Sequence, residues 1–401
     1  MSLAIPDHVP EELVFGPEYR NDHRAEADPF VGMQAVRGLP DFFYCTEGRI
    51  GASPNGSWVA ASSELITEIL RDAQRFSSYG ITGFSQLLGE NWPLVPLEID
   101  PPLQTEFRKV MAPILAPGRV RQMEGEIRQL ARTLIDKVAA AGECEFVRDF
   151  GTPLPVLIFM RLMGMPVERL DTFLEWEHDL LHSHDIDRRV QAAGSIRDFL
   201  LELIAARRAQ PRDDLAGLAV AMEVQGRPLT DDEVLGVCYL FFVGGLDTVA
   251  ASLGYIFFYL ATHPEDRARL VADHGQIPDA IEELLRRHSV VATRRLVTRD
   301  MEFHGVRLRK GDYVECDTCL ASTDPRAFDN PLQVDIGRRP NPHLAFGGGP
   351  HRCFGSNLAR AEMRIALEEW LGEIPDFSVK PGSQLSSHDG VRGLDALMLG
   401  W

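Results

Sequence analysis

One stretch limits the possible folds more than any other: the unbroken apolar run from Val234 to Thr262, VLGVCYLFFVGGLDTVAASLGYIFFYLAT. It is long enough to cross a bilayer. Three features argue instead for a helix buried in a large protein. Asp247 stands at its middle, where an acid is costly in lipid. No second apolar run accompanies it, and no marked basic flank orients it. Just before it, Thr230 and Glu233 have capping-box spacing, so a helix begins there by a polar signal. A helix that is apolar all round needs protein on every side. The expected structure is therefore a thick, mainly helical body wrapped around this segment.

The rest of the chain agrees. Residues 124–142 and 195–211 have apolar positions at i, i+3 and i+4, stopped by Gly142 and Pro211. Residues 264–275 and 277–289 follow the same style. Strand-like pieces are confined to 48–62 and 294–316, the latter punctuated at His304-Gly305 and Lys310-Gly311. Small peripheral sheets on a helical body are expected, with residues 1–401 as a single domain.

Asp and Glu number 59 against 41 Lys and Arg, a formal charge of -18. Such a surface repels nucleic-acid and anionic lipid surfaces, so neither is an expected partner. The first thirty residues are broken by Pro6, Pro10 and Pro17, carry many charges and offer no apolar leader. Six cysteines are too few for a disulfide framework, and a cytoplasmic, monomeric protein is expected. Cys316 and Cys319 form a CxxC, open to redox or metal chemistry or to a reading as two free thiols beside a strand.

The chemistry-bearing signal is FGGGPHRCFGSNLARAEM, from Phe346. Gly347, Gly348 and Gly349 let backbone lie close to a flat ligand. Cys353 then stands just ahead of a helix, where the dipole and free N–H groups favour a thiolate. A thiolate on haem iron favours O–O cleavage. Alone, the loop is also compatible with a glycine turn and an inert buried cysteine. The second signal is Gly244-Gly245-Leu246-Asp247-Thr248. Two glycines inside a helix cost about 1 kcal/mol each and need a reason. A Thr248 hydroxyl bonded back to the Gly244 carbonyl would bend the helix and open a groove.

Phe346, Gly349, His351, Cys353 and Gly355 meet the pattern F-x-x-G-x-H/R-x-C-x-G, and the chain is similar over nearly its whole length to the cytochromes P-450. FFVGGLDTVA, EELLRRHSVVA, MEFHGVRLRKGDY and EIPDFSVKPGS resemble the bacterial camphor hydroxylase subfamily most. The resemblance implies a mainly α, triangular cytochrome P-450 fold, a b-type haem, and electrons from a [2Fe-2S] ferredoxin with its flavin reductase. It implies Cys353 as the metal ligand. Arg108, Arg295 and His351 would hold the propionates, with Gln104, Phe346 and Gly347 also at the cofactor. Thr248 would support oxygen activation and Asp247 would gate proton entry. Glu283, Arg286 and Arg338 would form a buried structural triad.

Departures from the camphor enzyme also follow from the resemblance. Trp92 takes the place of its substrate-binding Tyr and offers one indole N–H, and Leu240, Val243, Gly244, Val291 and Val391 match its pocket positions. His182 falls where its Arg partner to the gating Asp would be. Thr67, Thr105 and Pro340 stand at ferredoxin-facing positions, where Lys109 and Arg352 could still make a basic patch. The expected activity is hydroxylation of a small terpenoid or norisoprenoid ketone, ionone-like, with O2. The alternatives are a haem-thiolate sensor without turnover and a peroxide-driven enzyme; the Asp247-Thr248 pair speaks against both.

Overall fold

The computed structural model describes residues 5–16, 28–46, 56–388 and 390–401. The strand-like piece at 48–53 lies outside these residues. The apolar run is helical throughout but broken once. The helix Asp231–Leu246 opens with the full capping box of Thr230 and Glu233, and a second helix, Thr248–Thr262, continues the line beyond Asp247. Two thirds of its most apolar window is buried inside the protein, so this is a core helix.

The break marks a boundary in packing. The Asp231–Leu246 half belongs to one apolar cluster, with the helices Pro153–Met163 and Ile186–Ala209. The Thr248–Thr262 half belongs to a second, built with Ile277–Arg287, Ser356–Glu373 and the main sheet. Phe146, Phe150, Phe257 and Trp370 interlock there with edge and stacked contacts of 4.2–6.2 Å. Close approach is set by a glycine at Gly236, where a Cβ would fall 2.0 Å from the Pro93 carbonyl oxygen. The segment carrying Trp92 is thereby pressed onto the central helix.

The main sheet has six strands, in the order Val14–Phe15, Phe42–Cys45, Ser57–Ala60, Tyr313–Asp317, Ala292–Val297 and Phe76–Ser77. Val314 lies between Trp58 on one side and Arg295 on the other. Alternation along Ala292–Val297 puts Thr293 and Arg295 on one face and Arg294 on the other. Arg294 spends its charge on the Tyr313 ring, at 4.2 Å, and the Ile81 carbonyl, at 2.6 Å. Arg295 is left facing inward.

Glu283 and Arg286 lock this core together. Both are fully buried. Arg286 Nε and Nη2 each donate to Glu283 at 2.8 Å, and Arg338 Nε adds bonds of 3.0 and 3.1 Å. Cys316 and Cys319 are buried free thiols, both pushed up to about 12 by burial, so the CxxC is a structural pair. Burial stabilises the neutral thiol and removes the thiolate that redox or metal chemistry needs.

Candidate active site

Cys353 is carried by a loop that folds back on itself. Its N–H donates to the Phe346 carbonyl at 2.8 Å, and the Gly347 N–H donates to Leu344 at 2.7 Å. Gly347 and Gly349 adopt φ of +67° and +63°, a region that favours glycine. At Gly349 a Cβ would lie 2.1 Å from the Leu70 carbonyl oxygen, so the loop is pressed against the helix Ser63–Arg71. At Gly347 nothing stands within 4 Å of an added Cβ, because that face opens on a cavity. The helix Ser356–Glu373 starts three residues after Cys353.

The thiol itself faces the cavity and is exposed to it, although protein surrounds it. Burial pushes its pKa up, opposed by the Gly355 N–H and by Arg108, Arg352 and Arg360. The sequence expectation of a thiolate favoured by the helix dipole and free N–H groups leaves out this burial. Burial outweighs those donors, so the net direction is up.

The cavity measures about 340 Å3 and lies between the loop and the break in the central helix. One wall holds Phe346, Gly347, Gly348, His351, Cys353 and Phe354. The opposite wall holds Leu240, Phe241, Gly244, Gly245, Thr248 and Val249. Val291, Thr293 and Arg295 close one side, and Leu97, Arg108 and Met111 another. The two glycines have different reasons. Gly244 faces open space, whereas a Cβ on Gly245 would sit 2.3 Å from the Phe159 ring. Thr248 Oγ1 donates to the Gly244 carbonyl at 3.4 Å, the back-bond expected of it.

Beside the loop, three basic groups lack carboxylate partners among the described residues. Arg295 is buried and donates only to Thr293 Oγ1 and the Arg294 carbonyl, at 3.2 and 2.8 Å. Burial lowers its pKa, and burial lowers that of Arg108 as well. Both His351 ring nitrogens are buried without a hydrogen-bond partner. Burial, then Arg295 and Arg108, hold His351 down at about 3. Buried polar atoms and mutually repelling cations are expensive unless a ligand answers them. A flat group with two carboxylates does so, and it fits the donor set: cations at one edge, glycine backbone at its face, a thiol for its metal. These residues fit haem.

Asp247 terminates the first half-helix with φ −108° and ψ −45°. His182, at the end of the helix Leu170–His182, lies 3.1 Å from Asp247 Oδ2 through Nε2. The position opposite the acid is thus filled by a histidine. Glu177, five residues before His182 and buried, is pushed well up by burial and by Asp247.

Three expected pocket residues are not in this lining. Trp92 is 4% exposed, packs its ring at a tilt against Tyr239 at 4.8 Å, and donates its indole N–H to Glu90, which also pairs with Arg197. A buried N–H needs a partner, and Glu90 two residues earlier supplies it, so none is left for a substrate. Val243 packs into the cluster of the first half-helix, and Val391 into the cluster of the second. Gln104 is buried and donates to the Pro350 carbonyl at 2.7 Å, which supports the loop from outside the cavity. Phe159, Phe241 and Glu362 line the cavity without having been read from sequence. Phe241 was legible as part of the apolar helix; Glu362, fully buried and pushed well up by burial, carried no signal that separates it from a surface acid.

On the outer face beside the loop, Thr67, Thr105 and Pro350 line an open groove that also holds Glu64, Glu68, Arg71 and Glu106. Lys109 pairs there with Glu106 at 2.7 Å, and Arg352 is exposed.

The chain matches the family described as Cytochrome P450 over residues 158–390. It is 38% identical to the probable cytochrome P450 127A1 of Sinorhizobium fredii, over 99% of this chain and 97% of that protein. It is 35% identical to a steroid C26-monooxygenase of Mycobacterium tuberculosis, over 80% and 88%. The solved structure of CYP101J2 superposes with a TM-score of 0.88, at 34% identity over 99% of both chains. CYP101C1 follows at 0.87, with 33% identity over 99% of this chain and 100% of that one. With the glycine loop, its cysteine and the unanswered cations on one side of the cavity and the broken helix on the other, these likenesses make the chain a haem-thiolate monooxygenase of the cytochrome P450 family.

Proposed function

We propose that this monooxygenase hydroxylates a compact hydrophobic terpenoid or norisoprenoid with O2, using haem b and electrons from a [2Fe-2S] ferredoxin. One observation carries the reading: the Asp247–Thr248 break stands across an apolar cavity from Cys353. Cys353 Sγ would hold the iron. Arg108, Arg295 and His351 would hold the propionates, and Phe346 and Gly347 would lie against the ring. When bound, the haem supplies the oxidising chemistry.

The protein's own part is shape and protons. Leu240, Gly244 and Val291 bound the space beside the break. Trp92 contributes no hydrogen bond, so selection rests on fit to aliphatic walls. A ketone oxygen buried there without a donor would cost about 1–3 kcal/mol. A hydrocarbon-like body is therefore favoured, and an ionone would bind by its ring. Thr248 Oγ1 can pass a proton into the cavity, and the Asp247 carboxylate, held by His182, can resupply it. Arg71, Lys109 and Arg352 offer positive charge on an otherwise acidic molecule, beside the loop, to a ferredoxin. Cys144, Cys238, Cys316 and Cys319 are buried free thiols, which suits a reducing cytoplasm.

The test is a spectral titration of the ferric protein with terpenoids and ionones, followed by turnover of Thr248→Ala. A spin-state shift with a compact terpenoid is expected. In the variant, binding should persist while reducing equivalents go to hydrogen peroxide. Unchanged coupling would remove Thr248 from proton transfer. No response to any terpenoid would overturn the substrate class.

A further inference from the structure

Above the break in the central helix, three elements bring metal-binding groups together. The helix Leu170–His182 ends in His182, the break supplies Asp247, and the strand Ser387–His388 supplies His388. A ring nitrogen of each histidine and a carboxylate oxygen of Asp247 all lie within 4.8 Å of one another. The two imidazole rings are 4.3 Å apart by their centroids. Glycines make room for both. A Cβ on Gly393 would fall 2.5 Å from His388 Nε2, and one on Gly390 would fall 3.1 Å from His182 Nδ1.

His388 is also oriented from behind. Its Nδ1 lies 2.8 Å from Asp395 Oδ1. A carboxylate only accepts, so Nδ1 carries the proton and Nε2 keeps a lone pair. That Nε2 is buried and has no hydrogen-bond partner among the described residues. A carboxylate fixing one ring nitrogen of a histidine while the other stands ready is the usual support of a metal-binding imidazole.

We propose that His182, Asp247 and His388 form a binding site for a zinc-class divalent ion, which inhibits the enzyme by immobilising the Asp247 carboxylate. Two imidazole nitrogens and one carboxylate oxygen suit Zn2+. Mg2+ and Ca2+ want oxygen ligands, and Cu+ wants sulfur. Zn–N and Zn–O bonds of about 2.0–2.2 Å need ligand atoms roughly 3.4 Å apart in a tetrahedron. The His182–Asp247 pair is already at 3.1 Å. The remaining closure, on the order of 1 Å, falls to His388, the most exposed of the three, with 23% of its side chain open to solvent. Water would take the fourth position.

The inhibitory half of this proposal rests on the role given above to Asp247; the binding half does not. The ferric holoenzyme is titrated calorimetrically with ZnCl2 alongside His388→Ala and Asp395→Asn. Turnover of each protein with added ZnCl2 is read against its own rate in chelator. Haem content and the CO-bound spectrum certify that each variant is folded. The wild type should bind one equivalent and lose turnover in step with it. Asp395→Asn should weaken the ion about 10–100-fold, and His388→Ala at least as much, with inhibition shifting in parallel. Absence of one-to-one binding, or equal affinity in His388→Ala, overturns the site. Binding that leaves turnover untouched keeps the site, but overturns its inhibitory action and the proton role of Asp247 with it.

Discussion

Glu283 and Glu282 are neighbours on one helix and should differ sharply in what they contribute. Glu283 receives Arg286 twice at 2.8 Å, Arg338 Nε at 3.0 and 3.1 Å, the Asp335 N–H at 2.9 Å and Asn341 at 3.2 Å. Glu283→Gln keeps the shape, removes the charge, and turns an amide N–H2 towards donors. Arg286, fully buried, then has no counter-charge. Removing one partner of a buried network costs about 3–5 kcal/mol, or roughly two to three and a half decades in the folded ratio. Glu282 is bound by Arg360 Nη2 at 2.8 Å and His343 at 3.0 Å, but with 31% of its side chain exposed. Its loss in Glu282→Gln should stay near about 1 kcal/mol. Urea unfolding of both variants and the wild type, followed by circular dichroism, compares them directly. A Glu283→Gln loss no larger than that of Glu282→Gln would refute the view that the triad holds the core.

Burial raises the Glu282 carboxyl, but Arg360 and His343 outweigh it and hold it down at about 2. A depressed carboxylate stabilises fully above its unfolded value of about 4.3 and loses that contribution as pH falls towards its folded one. The stability gap between wild type and Glu282→Gln should therefore close between those values; a gap that is constant with pH would contradict the pairing. Gly349→Ala sets a Cβ 2.1 Å from the Leu70 carbonyl at φ +63°, and should lower the haem-to-protein ratio on purification. Gly348→Ala, at φ −148° with its nearest neighbour 3.6 Å away, should keep the wild-type ratio, and equal ratios in both would mean that the Gly349 contact is not needed. Trp92→Phe removes an N–H already held by Glu90, so terpenoid affinities should move less than about threefold while stability falls by about 1 kcal/mol. A tenfold change in affinity would return Trp92 to substrate selection.

What was legible in the sequence was mostly local. The capping box at Thr230 and Glu233 spans one helical turn, and the glycines before Cys353 state their own backbone requirement. The back-bond from Thr248 to Gly244 is likewise one turn long. The apolar run marked the core helix and Thr248 marked where it bends, but that the bend divides two apolar clusters is a tertiary fact that no periodicity encodes. The Arg338 contact to Glu283 came only through family resemblance, since it joins residues far apart in sequence. Trp92 lies outside the cavity lining with its indole held by Glu90, two residues away, a contact that alignment cannot supply because it compares positions rather than hydrogen bonds. His388 and Asp395 went unseen because one ends a two-residue strand and the other follows one, where no pattern links them to His182. Glu177 and Glu362 show the same limit: burial of an acid is a tertiary fact.

The central claim is that Cys353 supplies the thiolate of a haem-thiolate centre, and the CO-bound spectrum of the dithionite-reduced protein tests it most directly. The wild type should show the strongly red-shifted Soret band of thiolate ligation, and Cys353→Ser should lose that band even where haem remains bound. A Cys353→Ser protein that keeps the red-shifted band would contradict the account.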